Sequence, residues 1–120
     1  MNKKEIGIYG EKVTADYLKN QGFIIFKRNY HSRFGEIDII AEKGNLLLFV
    51  EVKTRAENQM VSGREAVDYN KQNRIKATAN EFLRKTKQEY TCRFDVSEVT
   101  YKETEQGIDC EIYYITDAFY

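Results

Sequence analysis

The sequence contains no proline. Its reversals therefore rest on Gly, Asn and Asp, which tolerate turn backbones without a locked ring. Cysteine is scarce, with two residues, and histidine scarcer, with one. That combination makes no zinc set. No run approaches the roughly 18 apolar residues of a membrane span. The opening MNKKEIGIYGEK carries lysines with no apolar stretch behind them, so no secretory signal is visible. A cytoplasmic protein is the expectation, with Cys92 and Cys110 buried and reduced rather than paired. An excess of one charge is also missing, because 19 Lys and Arg balance 19 Asp and Glu. Zero net charge argues against a protein that coats nucleic acid non-specifically, and leaves room for a local basic rim around an acidic site. Repeats, low-complexity tracts and linkers are absent. The 120 residues (1–120) therefore read as a single domain, large enough for a core of its own.

What is present has a clear order. A helix is predicted from about Asn2 to Asn20, ended by Gln21-Gly22, with Ile6, Val13 and Tyr17 at helical spacing. Gly7, Glu11, Ala15 and Leu18 form a second stripe, and the small residues at 7, 10 and 15 let the helix lie close on a sheet. Glu11 falls on that packing side, where such a residue is more often a snorkelling edge group than a ligand. Phe23 to Tyr30 reads as a strand with Phe23, Ile24, Ile25 and Phe26 buried, followed by a loop carrying His31 and Arg33. His31 reads as a loop residue. After a polar stretch from Arg55 to Val61, Ser62-Gly63-Arg64-Glu65 has capping-box spacing and opens a helix to about Lys87. Its buried stripe is Ile75, Ala79, Phe82 and Leu83, which turns Lys71 and Gln72 toward the sheet near the helix start. Strands from Tyr90 to Tyr101 and Ile108 to Ile115 complete an α/β chain of order α-β-β-β-α-β-β. Cys92, Phe94 and Val96 point inward, as do Cys110, Ile112 and Tyr114.

The chemistry concentrates in Gly35 to Arg55. Gly44-Asn45 suits a two-residue type II′ hairpin with glycine first. Lys43 then pairs with Leu46, Ile40 with Phe49, Asp38 with Glu51 and Glu36 with Lys53. Alternation puts Asp38, Glu51 and Lys53 on one face, and Ile37, Ile39, Ala41, Leu46, Leu48, Val50 and Val52 on the other. Cross-strand neighbours stand about 5 Å apart, and like charges there repel. Two carboxylates set face to face in a sheet need a cation or a shared proton. Oxygen ligands of this kind suit Mg²⁺ or Mn²⁺, with the Val52 carbonyl as a neutral donor. Lys53 would orient water or offset charge in the transition state of phosphodiester hydrolysis. The E-V-K triplet alone is weak, since Lys53 opposite Glu36 makes an ordinary exposed ion pair; Asp38 across from Glu51 is the feature that packing does not explain.

G-E-I-D at Gly35 to Asp38 and F-V-E-V-K-T-R at Phe49 to Arg55 resemble the PD-(D/E)xK nuclease superfamily. More closely, the chain is similar to the YraN family of small bacterial proteins. It shares G-x-x-G-E-x-x-x-A from Gly7 to Ala15, R-N at Arg28 and Asn29, and K-Q-x-R at Lys71, Gln72 and Arg74. The match runs from about Gly7 to Phe119. It implies a restriction-endonuclease-like core, a mixed five-stranded sheet flanked by two helices. By comparison with archaeal Holliday junction resolvases, it also implies a metal and catalytic set of Glu11, Asp38, Glu51 and Lys53. Ile37 stands where the superfamily pattern has proline.

Three functions compete on these residues. The first is a Mg²⁺- or Mn²⁺-dependent endonuclease acting on DNA rather than RNA, including branched or structured DNA; cutting two strands symmetrically would call for a homodimer. The second is a non-cleaving nucleic-acid-binding module, with Lys27, Arg28, Arg33, Arg55, Lys71, Gln72 and Arg74 toward the backbone. The third is a protein-interaction domain using the same recess.

Overall fold

A computed structural model describes residues 1–59 and 67–119. The order is α1 (Lys3–Asn20), β1 (Ile24–His31), β2 (Glu36–Lys43), β3 (Leu46–Ala56), a 3-10 turn at Glu57–Gln59, α2 (Tyr69–Arg84), β4 (Thr91–Thr104) and β5 (Gly107–Phe119). One mixed sheet carries the strands in chain order, antiparallel throughout except for β3 with β4. That parallel pair is what the crossover through α2 permits. The expected α-β-β-β-α-β-β order is found.

The two faces are covered by different helices. Ala15 and Leu18 of α1 pack on Ile39, Ala41, Leu48 and Val50. Ile75, Ala79 and Phe82 of α2 pack on Ile40, Leu47, Phe49 and Val96. β2 and β3 are consequently buried on both sides, as their near-continuous apolar runs require. Asn2 caps α1 in a reciprocal capping box with Glu5. The close approach of α1 depends on Gly10, where a Cβ would stand 1.7 Å from Thr54 Oγ1. Gly7 plays no such part, because a Cβ there meets nothing within 4 Å. Gly44, with φ of +61°, makes the β2–β3 turn, and Lys43↔Leu46 through Ile40↔Phe49 follow the expected register.

Several expectations are corrected. Ile24 and Phe26 are exposed (66% and 44%), because β1 is an edge strand with a bulge between Ile25 and Lys27. Cys92 and Cys110 are free and exposed rather than buried. They lie toward opposite ends of the β4–β5 hairpin, Cys92 one residue into β4 and Cys110 three residues past the turn. Ile37 joins Ile40 under α2, although Ile39 packs under α1; the facing of β2 changes once its pairing with β3 ends at Ile39↔Val50. The Ser62–Glu65 capping box lies outside the described residues. Asp68, extended at φ −76° and ψ 173°, caps α2 instead, accepting from the Lys71 amide at 2.8 Å. The helix stops at Arg84, short of Lys87. Among the described residues, no helix is long and apolar enough to cross a membrane.

Candidate active site

The site forms where the β2–β3 ladder stops. Past Ile39↔Val50 the Val52 amide donates to Asp38 Oδ2 at 2.8 Å instead of to a backbone carbonyl. The sheet opens at this point, and side chains from both faces reach one cleft of about 520 Å³. Glu11, Asp38, Glu51, Val52, Lys53, Arg55 and Lys71 line it. Behind it lies a smaller recess of about 110 Å³ between Gly35, Asp38, Glu51 and α2. A larger depression of about 670 Å³ runs along Ala56–Asn58 and Tyr101–Glu103, walled chiefly by exposed side chains.

Glu51 follows Phe49 on the α2 face and is 6% exposed. The first turn of α2 delivers Lys71, whose Nζ stands 2.6 Å from Glu51 Oε1. Lys53 Nζ reaches the same oxygen at 3.7 Å. On the opposite side, Glu11 emerges half-buried from α1. Arg28 Nη2 stands 3.6 Å from it, and the Asn29 side chain nearby favours its charged form. Asn29 has φ of +52° inside β1, a left-handed backbone that non-glycine residues seldom adopt.

Burial and crowding of like charges govern the electrostatics. Asp38 is pushed up to about 7, first by desolvation and then by the Glu51 charge, against the Val52 hydrogen bond. Desolvation raises Glu11, opposed by Asn29 and Arg28. Lys53 is lowered by desolvation and by Lys71 beside it. Burial works against charge on Lys71 too, but its bond to Glu51 and the charges of Glu51 and Asp38 prevail and raise it. Among the described residues, no group of three or more His, Cys, Asp or Glu is gathered closely enough to hold an ion.

Glu11, Asp38, Glu51, Val52, Lys53, Arg55 and Lys71 are thus brought together, with Arg28 against Glu11, whereas Arg33 and Gln72 are turned elsewhere. The Glu36↔Lys53 pair does not form; Glu36 faces His31 at 3.8 Å, while Lys53 turns to Glu51. Arg33 sits over the Phe34 ring, 4.9 Å from its centroid. Gln72 donates to the Val67 carbonyl at 3.1 Å. Arg74 borders the small recess. Sequence reasoning passed over three cleft residues or supports: Lys3, Tyr101 and Asn29. Asn29 had a signal, the R-N pair, without a chemical role attached to it; Lys3 and Tyr101 had none.

Fold and cleft together define a mixed α/β domain with acidic groups and lysines converging at the open end of its central strand pair. The profile of the uncharacterised protein family UPF0102 matches residues 10–99, and the chain belongs to that family. A UPF0102 protein of Dictyoglomus thermophilum is 44% identical over 120 residues, covering 99% of this chain and all of the relative. One from Clostridium botulinum (strain Loch Maree) is 46% identical over 98 residues, 80% of each chain.

Proposed function

We propose that this protein is a divalent-metal-dependent nuclease that hydrolyses phosphodiester bonds in DNA, branched or structured DNA included. The supporting observation is the meeting of Asp38, Glu51 and Lys53 in one cleft, with Glu11 on its far side. Burial and the Glu51 charge push the Asp38 carboxyl up to about 7, and a hard cation between the two carboxylates would favour its charged form. Asp38 and Glu51 would hold Mg²⁺ or Mn²⁺, with the Val52 carbonyl as a neutral donor and Glu11 on the far side of the cleft. When bound, such an ion supplies charge to a phosphate oxygen and lowers the pKa of a water. Lys53, held beside Glu51, orients the attacking water or offsets charge gathering on the phosphate. Arg55, Lys71 and Lys3 give the same cleft a cationic wall for the nucleic-acid backbone. The PD-(D/E)xK resemblance supports the same assignment.

The test is a cleavage panel with Mn²⁺ on linear, single-stranded and four-way-junction DNA, run on wild type, Asp38→Ala and Lys53→Ala. Cutting by wild type and its loss in both variants is expected. No cleavage of any substrate, or cleavage that survives the substitutions, overturns the proposal. A second reading, a non-cleaving nucleic-acid-binding module, draws on Glu51 already being engaged by Lys71 at 2.6 Å. It predicts binding that weakens steeply with salt and no product in the same panel.

A further inference from the structure

Two lysines share one carboxylate oxygen in the proposed active site. Two ammonium groups address the single Glu51 Oε1 atom, Lys71 at 2.6 Å and Lys53 at 3.7 Å. Asp38 beside them receives only an amide hydrogen among the hydrogen bonds of the described residues, from Val52. Glu51 is nearly sealed, whereas the Lys71 side chain is 31% exposed and that of Lys53 23%. The attachment of Lys71 matters as much as its contact. Its backbone amide is fixed by the Asp68 cap, so the main chain stays in place while the four-carbon stem can turn. Lys53, in contrast, sits within β3 beside β4, in register with Glu98.

We propose that Lys71 is a resident counter-ion of Glu51, which a divalent cation entering between Asp38 and Glu51 displaces toward the cleft wall. This rests on the nuclease reading of the site. The exchange is of ions alone: the ammonium keeps its proton, its contact with Glu51 is lost, and the carboxylate gains the divalent charge. Lys71 is the group that gives way because three cations around one carboxylate oxygen repel each other and Lys71 has the freer path to solvent. It is therefore a positioning residue. It holds Glu51 ready in the metal-free fold, where a nearly buried carboxylate without a partner would be costly.

Two measurements on the full chain test this. In calorimetric titration with Mn²⁺, Lys71→Met should bind about tenfold more tightly than wild type, because a competing cation has been removed. A lysine with a merely structural role would leave affinity unchanged or lower it. In amine-reactive labelling read by mass spectrometry, wild-type Lys71 should become about threefold more reactive on saturation with Mn²⁺, as expected for an ammonium released from a charge-assisted contact. Lys12, whose side chain is 70% exposed on α1, should be unaffected. Equal or weaker Mn²⁺ binding by Lys71→Met, or unchanged Lys71 labelling in Mn²⁺-bound wild type, overturns the displacement alone. Wild type that takes up no Mn²⁺ overturns the nuclease reading and the displacement with it. If Lys71→Met does not fold, the labelling result decides.

Discussion

Asp38 takes the Val52 amide hydrogen at 2.8 Å, one step beyond the last rung of the β2–β3 ladder. A side chain thereby does the work of a backbone carbonyl, and its charge is stranded beside Glu51. Asparagine keeps an acceptor for Val52 and removes the charge. The folded Asp38 carboxyl is held near 7 against 3.8 ordinarily, so the folded state binds its proton more tightly than the unfolded chain. The stability this contributes is complete below the unfolded value and is lost as pH rises toward 7. Without divalent ions, Asp38→Asn should exceed wild type by about 1–3 kcal/mol at pH 8 in urea denaturation, with the gap closing near pH 4. Equal stability at pH 8 would contradict the raised value.

Cation binding should show the opposite trend with pH. The Asp38 carboxyl must lose its proton to act as a ligand, and it does so around 7. Mn²⁺ affinity should therefore be about tenfold weaker at pH 6 than at pH 8 by calorimetry. A flat profile would exclude Asp38 as a ligand.

Gly10 sets the height of α1 above the sheet. A Cβ there would lie 1.7 Å from Thr54 Oγ1, 2.8 Å from Thr54 Cβ and 3.0 Å from Thr54 Cγ2, so no rotation of Thr54 makes room. Gly10→Ala should cost about 2 kcal/mol despite alanine's better helix propensity. It should also weaken Mn²⁺ binding, because Glu11 is the next residue on the helix being lifted. Denaturant and metal titrations of one preparation check both effects.

Asn29 favours the charged form of Glu11 from a strained backbone, with φ of +52°. Asn29→Gly separates the two contributions, since glycine accepts that backbone freely but offers no side chain. Stability should stay within about 1 kcal/mol of wild type. Mn²⁺ affinity should fall, because Glu11 loses a donor that favours its charged form. A variant with unchanged metal binding would show that Asn29 serves the turn of the chain rather than Glu11.

Asp95 offers a contrast between folding and function. It is fully buried, and it accepts from Arg93 at 2.9 and 3.0 Å, from the Tyr114 hydroxyl at 2.6 Å and from the Asp117 amide at 2.9 Å. Burial, together with the Asp95 charge, raises the Tyr114 hydroxyl well above its usual range. Asp95→Ala leaves these donors without their acceptor and should cost about 3–5 kcal/mol. Asp95 does not line the cleft, so Mn²⁺ affinity of the remaining folded protein should be unchanged.

Much of this was legible in the chain. Gly44-Asn45 marked the hairpin, and two-residue periodicity placed Ile40 across from Phe49, because both signals are local. The helical stripe of Ile75, Ala79 and Phe82 likewise turned Lys71 toward the sheet, and the structure brings it to Glu51. Less was legible where burial depends on what covers a strand. Ile24 and Phe26 look like core residues until β1 is found at the sheet edge, and Cys92 and Cys110 until both are found exposed near opposite ends of the β4–β5 hairpin.

By itself the sequence determined the alternation of helices and strands, the register at the β2–β3 turn and the gathering of Asp38, Glu51 and Lys53 in one short stretch. Those depend on turn chemistry and on periods of 2 and 3.6, which reach only a few residues along the chain. Tertiary structure alone decided where the β2–β3 ladder stops, that Ile37 changes face, that Lys53 turns to Glu51 rather than Glu36, and that Asn29 supports Glu11. Each of those follows from the packing of α1 and α2 on opposite faces of one sheet, a competition among distant groups for the same space that no local pattern encodes.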